Sequence, residues 1–203
     1  VVDDRLMTGH DPDDTTFVAL GYSFFALSSG GESDWGAGLP LEFDKAIAWS
    51  CRASRPGVTY AALGSGGEYY VQFTDGSAQW HAGVELSKAL SWSSQVEVLA
   101  FAPGNGYYAQ WSSGEFEHEG LPQNLATLLK KWQAQYGVED LTIGPDGEWW
   151  VRFGDGSWEG GNLPSACSER LGIIRQAGGS VVRIVFGRDQ WLITYEAGNT
   201  KRR

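Results

Sequence analysis

The chain has 203 residues (22.1 kDa), enough for one domain around a sizeable core, and 42% hydrophobic with 20% charged residues excludes wholesale disorder. With 25 acidic and 15 basic residues its net charge is −10, so neither a nucleic-acid phosphate backbone nor an anionic lipid surface is an expected partner. No run approaches the roughly 18 apolar residues that span a bilayer, so no membrane insertion is expected.

The composition is unusual in 28 Gly, 10 Trp, 8 Tyr and 9 Phe, a balance that points to short strands and tight turns. The chain starts Val1-Val2-Asp3-Asp4, with no basic segment leading into an apolar one, so no leader is visible. Two cysteines and the absence of any Asn-x-Ser/Thr give no mark of secretion. A cytoplasmic location is expected, or a secreted one without a visible signal. Asp11-Pro12-Asp13-Asp14 reads as a solvated turn, because the spacing and terminal Glu of a calcium loop are missing.

Five copies of one pattern then follow, beginning near Thr16, Val58, Val96, Val138 and Val181. With Leu20, Leu63, Phe101, Ile143 and Phe186 as equivalent positions, the spacings are 43, 38, 42 and 43 residues. The fourth copy shows the order within a unit. Val138–Ile143 is β-rich, Gly144-Pro145-Asp146-Gly147 is a turn, and Trp149–Phe153 is β-rich again. Asp155-Gly156 turns the chain into a third short strand around Ser157–Glu159, after which Cys167, Leu171 and Ile174 recur at helical spacing.

The third copy repeats this with a clearer helix of Leu125, Leu128, Leu129 and Trp132. Pro40, Pro122 and Pro164 mark helix starts, where a fixed φ and a missing donor cost nothing. The second copy departs, with Val84-Glu85 read in place of Leu-Pro. Cys51 and Cys167 fall in predicted helices and read as small buried residues.

The predicted fold is therefore mainly β with short helices, as five tandem β-β-β-α repeats near 16–57, 58–95, 96–137, 138–180 and 181–203 in a single domain. The fifth copy stops at Lys201-Arg202-Arg203, about where a third strand is due, while Val1–Met7 is a spare segment. That pairing predicts closure into a five-bladed propeller-like ring, with residues 1–7 completing the last unit and no sheet edge left open.

Strand alternation separates two faces on the second strands. Tyr69, Val71 and Phe73, like Trp149, Val151 and Phe153, form an apolar face that reads as core. The other face sets Tyr70 beside Gln72, Tyr108 beside Gln110 and Trp150 beside Arg152. A flat ring beside a planar polar group can stack on a sugar's C–H face while the amide or guanidinium takes hydroxyls. The competing reading is an inter-sheet contact. The third strands add Trp80, His81 and Trp158 as candidate ligand contacts.

No catalytic site is expected, and no metal or cofactor. In Glu117-His118-Glu119, alternation puts the imidazole opposite both carboxylates. His81 is taken as the equivalent of that histidine. The Asp-Gly pairs at 75–76, 146–147 and 155–156 read as hairpin turns rather than paired acids. No phosphate loop, nucleophile elbow or zinc motif occurs.

A repeat near 42 residues with Asp-Gly turns and recurring Trp, running from about Thr16 to Gly198, resembles small propeller lectins of the tachylectin and tectonin kind. Those families use four-stranded blades, where this chain has Leu-Pro and a helix in place of the fourth strand. The resemblance implies a non-catalytic module binding a glycan or glycoprotein at several equivalent sites, with affinity raised by multivalency. The alternative is a protein-interaction scaffold without sugar binding, which the variation of Gln72 and Gln110 against Arg152 and Thr194 favours.

Overall fold

The β-branched and aromatic runs of the sequence become short antiparallel strands wherever Gly-rich turns divide them. The computed structural model describes residues 15–20, 24–28, 33–36, 38–92, 95–188 and 190–196. The expected closing segment Val1–Met7, the Asp11–Asp14 turn and Lys201–Arg203 lie outside the described residues.

In chain order the elements are β1 (Thr15–Leu20), β2 (Phe24–Ser28), β3 (Ser33–Trp35), α1 (Leu41–Ser50), β4 (Val58–Leu63), β5 (Tyr69–Phe73), β6 (Ala78–His81) and α2 (Val84–Trp92). They continue with β7 (Val96–Ala102), β8 (Gly106–Trp111), β9 (Phe116–Glu119), α3 (Gln123–Tyr136), β10 (Val138–Ile143), β11 (Trp149–Phe153), β12 (Trp158–Gly161), α4 (Ser165–Gln176), β13 (Ser180–Gly187) and β14 (Gln190–Glu196). Four copies are thus β-β-β-α, and the described part of the fifth is the hairpin β13-β14. No helix among the described residues is long and apolar enough to cross a membrane.

Each first strand carries a register shift near its start, between Thr15 and Phe17, Val58 and Tyr60, Val96 and Val98, Val138 and Asp140, and Val181 and Arg183. A bulge adds one residue and reverses the alternation beyond it. Val58 therefore packs on one face of its sheet and Tyr60, two residues on, packs on the other.

The sheets stack face to face, and a helix fills each of the four joints between successive described sheets. Val71 and Phe73 pack with Phe43 and Ile47 of α1 and with Phe25 of the preceding sheet. On the other face of β5, Tyr70 packs with Leu86 and Leu90 of α2 and with Leu99, Phe101 and Ala109 of the next sheet. Tyr108, Leu125 and Leu129 meet Val151 in the following joint, and Trp150, Cys167 and Leu171 meet Ile184 in the last. The face of Tyr69, Val71, Phe73, Trp149, Val151 and Phe153 is buried as the sequence predicts.

First strands of successive sheets lie side by side in the order β1, β4, β7, β10, β13, and β13 also neighbours β1. Side chains tie them. The Tyr60 hydroxyl donates to the Leu99 carbonyl at 3.1 Å and accepts from the Leu99 N–H at 2.8 Å. Arg183 on β13 pairs with Asp140 on β10 at 3.0 Å. Between these strands is a cavity of about 40 Å³ lined by residues such as Tyr60, Thr142 and Arg183, room for about three water molecules.

Three expectations are corrected by the local geometry. The helix carbonyl bonds run from Asp44 to Pro40, Ser87 to Gly83, Ala126 to Pro122 and Ser168 to Pro164. It is therefore Ala82-Gly83, and not Val84-Glu85, that stands where the other copies have Leu-Pro. Cys51 is exposed because α1 ends at Ser50, whereas Cys167 is buried. His81 pairs with Tyr69 as Glu119 pairs with Tyr107, so it matches Glu119; the counterpart of His118 is Trp80.

Candidate functional site: a cleft in the second copy

A cleft of about 260 Å³ opens where sheet β4-β5-β6 meets the end of α2 and the start of β7. Tyr70, Gln72, Gly76, Ala78 and Trp80 line it from the sheet, and Leu90, Gln95 and Val96 from the other side. Tyr70 and Gln72 share a face because they are two apart on β5. Ala78 and Trp80 share the same face, because β6 pairs Gln72 with Ala78 and Tyr70 with Trp80.

The turn between β5 and β6 is fixed locally. Asp75 Oδ1 accepts from the Ser77 N–H at 2.9 Å and from its hydroxyl at 2.6 Å, while Gly76 takes φ +80°. These hydrogen bonds hold the Asp75 carboxyl below its usual range. The Asp155-Gly156-Ser157 turn repeats the geometry at 2.9 and 2.6 Å with φ +80°. The Asp-Gly pairs are turn residues, as read from the sequence.

Inside the cleft the Tyr70 hydroxyl donates to Gln72 Oε1 at 3.0 Å. Burial, with a smaller contribution from the neighbouring Tyr60 phenol, pushes the Tyr70 phenol up to about 12, so it stays a neutral donor and acceptor. Gln72 is 3% exposed, and its Nε2 makes no hydrogen bond among the described residues. That donor is not sealed from solvent: it borders an open space walled by a half-buried indole, Trp80, where an incoming acceptor can reach it.

The equivalent places in the next two copies are filled. Tyr108 is fully buried and donates to Gln110 Oε1 at 2.9 Å, but its hydroxyl also accepts from Gln133 Nε2 of α3 at 2.7 Å. Gln110 Nε2 in turn donates to the Val138 carbonyl at 3.0 Å and to Glu97 at 3.3 Å. Trp150 is fully buried under α4 and the last sheet. Arg152 pairs with Glu139 at 3.2 Å, and the Arg175 guanidinium of α4 covers Trp158 at 4.2 Å from the ring centroid.

Of the nine candidate ligand contacts, the structure gathers Tyr70, Gln72 and Trp80 in one cleft. It places Tyr108, Gln110 and Trp150 inside joints between sheets, where no ligand surface is open, and it engages Arg152 and Trp158 with neighbours. His81 faces the other way, stacked on Tyr69 at 6.4 Å. The residues that sequence reasoning missed, Leu90, Gln95 and Val96, come from the far wall. A signal existed: five residues separate Leu90 from Val96, where eight separate Leu129 from Val138. That shortening removes the helical turn that carries Gln133.

No group of three or more His, Cys, Asp or Glu side chains fit to hold a metal ion occurs among the described residues. Burial, and then the charge of Glu148, push the Cys167 thiol up to about 11, so it is not a nucleophile at neutral pH.

No family model matches the chain, and no curated protein matches it. Among solved structures, one described as "Streptogramin B lyase structure" aligns with 99% of this chain and 74% of its own, at 10% identity and a TM-score of 0.28, too low to establish a shared fold. What the chain itself establishes is a mainly β protein with four short helices among its described residues and three-stranded antiparallel sheets repeated along it.

Proposed function

We propose that this protein is a non-catalytic recognition module that binds a saccharide in the cleft of its second copy. The single observation that carries the reading is the Gln72 amide, whose Nε2 has no partner among the described residues, beside the Trp80 indole and the Tyr70 hydroxyl. A saccharide matches that set: its C–H face lies on an indole, and its hydroxyls accept from the amide and exchange hydrogen bonds with the phenol. At about 260 Å³ the cleft sits at the small end of ligand sites, so one sugar ring is the natural occupant.

The same reading takes the five sheets as blades of a closed propeller-like ring, supported by the neighbour order of the first strands returning from β13 to β1. It replaces several equivalent sites by one, because Gln133 and Arg175 cover the third and fourth copies. A partner protein is favoured by a different observation, the exposure of Trp92 and Val84 on α2. A glycoprotein would satisfy both.

A glycan array followed by calorimetric titration is the test. Binding by the parent chain, weakened by about 1–3 kcal/mol in Trp80→Ala and in Gln72→Ala with folding intact, is the expected result. No saccharide response from the parent chain overturns the reading in favour of the protein scaffold.

A further inference from the structure

A second cleft, of about 220 Å³, lies at the opposite end of α2, and the saccharide reading does not use it. Its walls are Gly83 to Leu86 at the start of the helix, Gly104 to Tyr107 around the β7-β8 turn, and Glu119 and Gly120 at the end of β9. Gly83 stands on its wall where the other helix-bearing copies have a helix-start proline. A Cβ on Gly83 would stand 3.4 Å from Asn105 across the opening.

The floor is backbone packed closely. A Cβ on Gly106 would meet the Gly120 carbonyl at 2.6 Å, so the two strands approach there only because both are glycine. Above it sits Tyr107, 5% exposed, whose hydroxyl makes no hydrogen bond among the described residues.

The repeat explains why that hydroxyl is unpartnered. In the next copy the equivalent ring is Trp149, and its indole N–H donates to Asn124 of α3 at 3.0 Å. The residue equivalent to Asn124 on α2 is Glu85, so a neutral amide has become a carboxylate. Burial, then the charges of Glu117, Glu119 and Glu85, hold the Tyr107 phenol above its ordinary value. Three carboxylates therefore act on this phenol.

Two features oppose a cation here. The α2 N-terminus carries about half a positive charge, and Lys88 pairs with Glu85 at 2.8 Å. That pair is exposed on both sides, at 62% and 60%, and such pairs exchange readily with another ammonium. Three carboxylates against one ammonium leave the surroundings net negative.

We propose that this cleft binds a primary ammonium group, with Glu119 and Glu85 neutralising it and the Tyr107 hydroxyl accepting one of its hydrogen bonds. The group fits by chemistry: an ammonium offers three donors in a compact volume, and the cleft offers acceptors without a competing basic side chain on its walls. Its source is either a lysine side chain of a partner protein or a free amine.

Calorimetric titration of the full chain at low ionic strength separates these. The probes are Nα-acetyl-lysine methylamide, 1,5-diaminopentane, and the doubly acetylated lysine amide as a neutral control. The expected result is binding of the charged probes at least about tenfold tighter than the neutral one, weakening as salt rises from roughly 20 to 200 mM. Glu119→Gln and Tyr107→Phe should each weaken it by about threefold or more, and Glu159→Gln, the exposed counterpart of Glu117 on β12, should leave it unchanged. Tighter binding of the lysine amide assigns the site to a protein side chain, and tighter binding of the diamine to a free amine. Equal binding of the neutral probe, no binding of either charged probe, or wild-type binding by both folded variants overturns the proposal. Because Glu119 is exposed and Tyr107→Phe keeps its ring, melting midpoints verify folding.

Discussion

Tyr70 and Tyr108 hold the same place on neighbouring sheets, and each hydroxyl donates to a glutamine two residues further along its strand, at 3.0 and 2.9 Å. Around Tyr108 the phenol and the glutamine amide donors are answered, since Gln133 donates to the phenol and Gln110 donates to Val138, and Gln133 Oε1 is the buried acceptor left without a partner among the described residues. Around Tyr70 the helix is nine residues long where α3 has fourteen, and a cleft takes the place of the last turn. At the other end of the same helix, Gly83 stands where the other helices start with proline, and it borders a second cleft. In a repeat protein the shared positions build the scaffold, and the copy with side-chain volume removed is where a ligand has room.

The largest expected effect separates core from cleft. Trp150→Ala should lower unfolding free energy by about 3–5 kcal/mol, because a fully buried indole leaves a cavity. Trp80→Ala, at the half-buried wall, should cost about 1–2 kcal/mol. Denaturant titration of the two variants is the measurement. Equal losses would break the distinction between a filled joint and an open one.

Next comes conversion of the third copy into the second. Gln133→Ala removes the donor to Tyr108 and should cost about 1–3 kcal/mol. It should also create a new ligand-dependent change in Trp fluorescence, titrating independently of the second-copy cleft. Stability loss without any new response would show that a missing turn alone does not make a site.

Alkaline titration probes the joint that holds Tyr70, where Tyr60 packs beside it. Burial raises the Tyr60 and Tyr70 phenols from 10.0 to about 12 in the folded chain. Their contribution to stability is complete below pH 10, where the unfolded phenols are still protonated, and is lost as pH rises from 10 towards 12. The slope should approach about 1.4 kcal/mol per pH unit for each group, and Tyr70→Phe should reduce it. An unchanged slope would place the Tyr70 hydroxyl in solvent.

The smallest effect concerns the two identical turns. Gly76→Ala and Gly156→Ala should each cost about 1 kcal/mol, since both have φ +80° with open space at the Cβ position. Thermal melts should match, while saccharide binding should respond to Gly76→Ala, whose residue borders the cleft, and not to Gly156→Ala.

The five copies, their strand order, the Asp-Gly turns and the helix starting after Leu-Pro were all legible in the sequence, because each rests on local chemistry: β-branched and aromatic runs, positive φ at glycine, and apolar spacing on helices. Alternation also showed correctly that Tyr70, Gln72 and their counterparts share a face. What it could not show is what covers that face. Gln133 and Arg175 reach Tyr108 and Trp158 only because α3 and α4 run a turn longer and pack in the joint between sheets. The bulge in every first strand was equally hidden, since it is defined by pairing with a partner strand and not by the residue that it adds. Local sequence determined which face each side chain takes; the packing of sheet against sheet decided which faces stay open to a ligand.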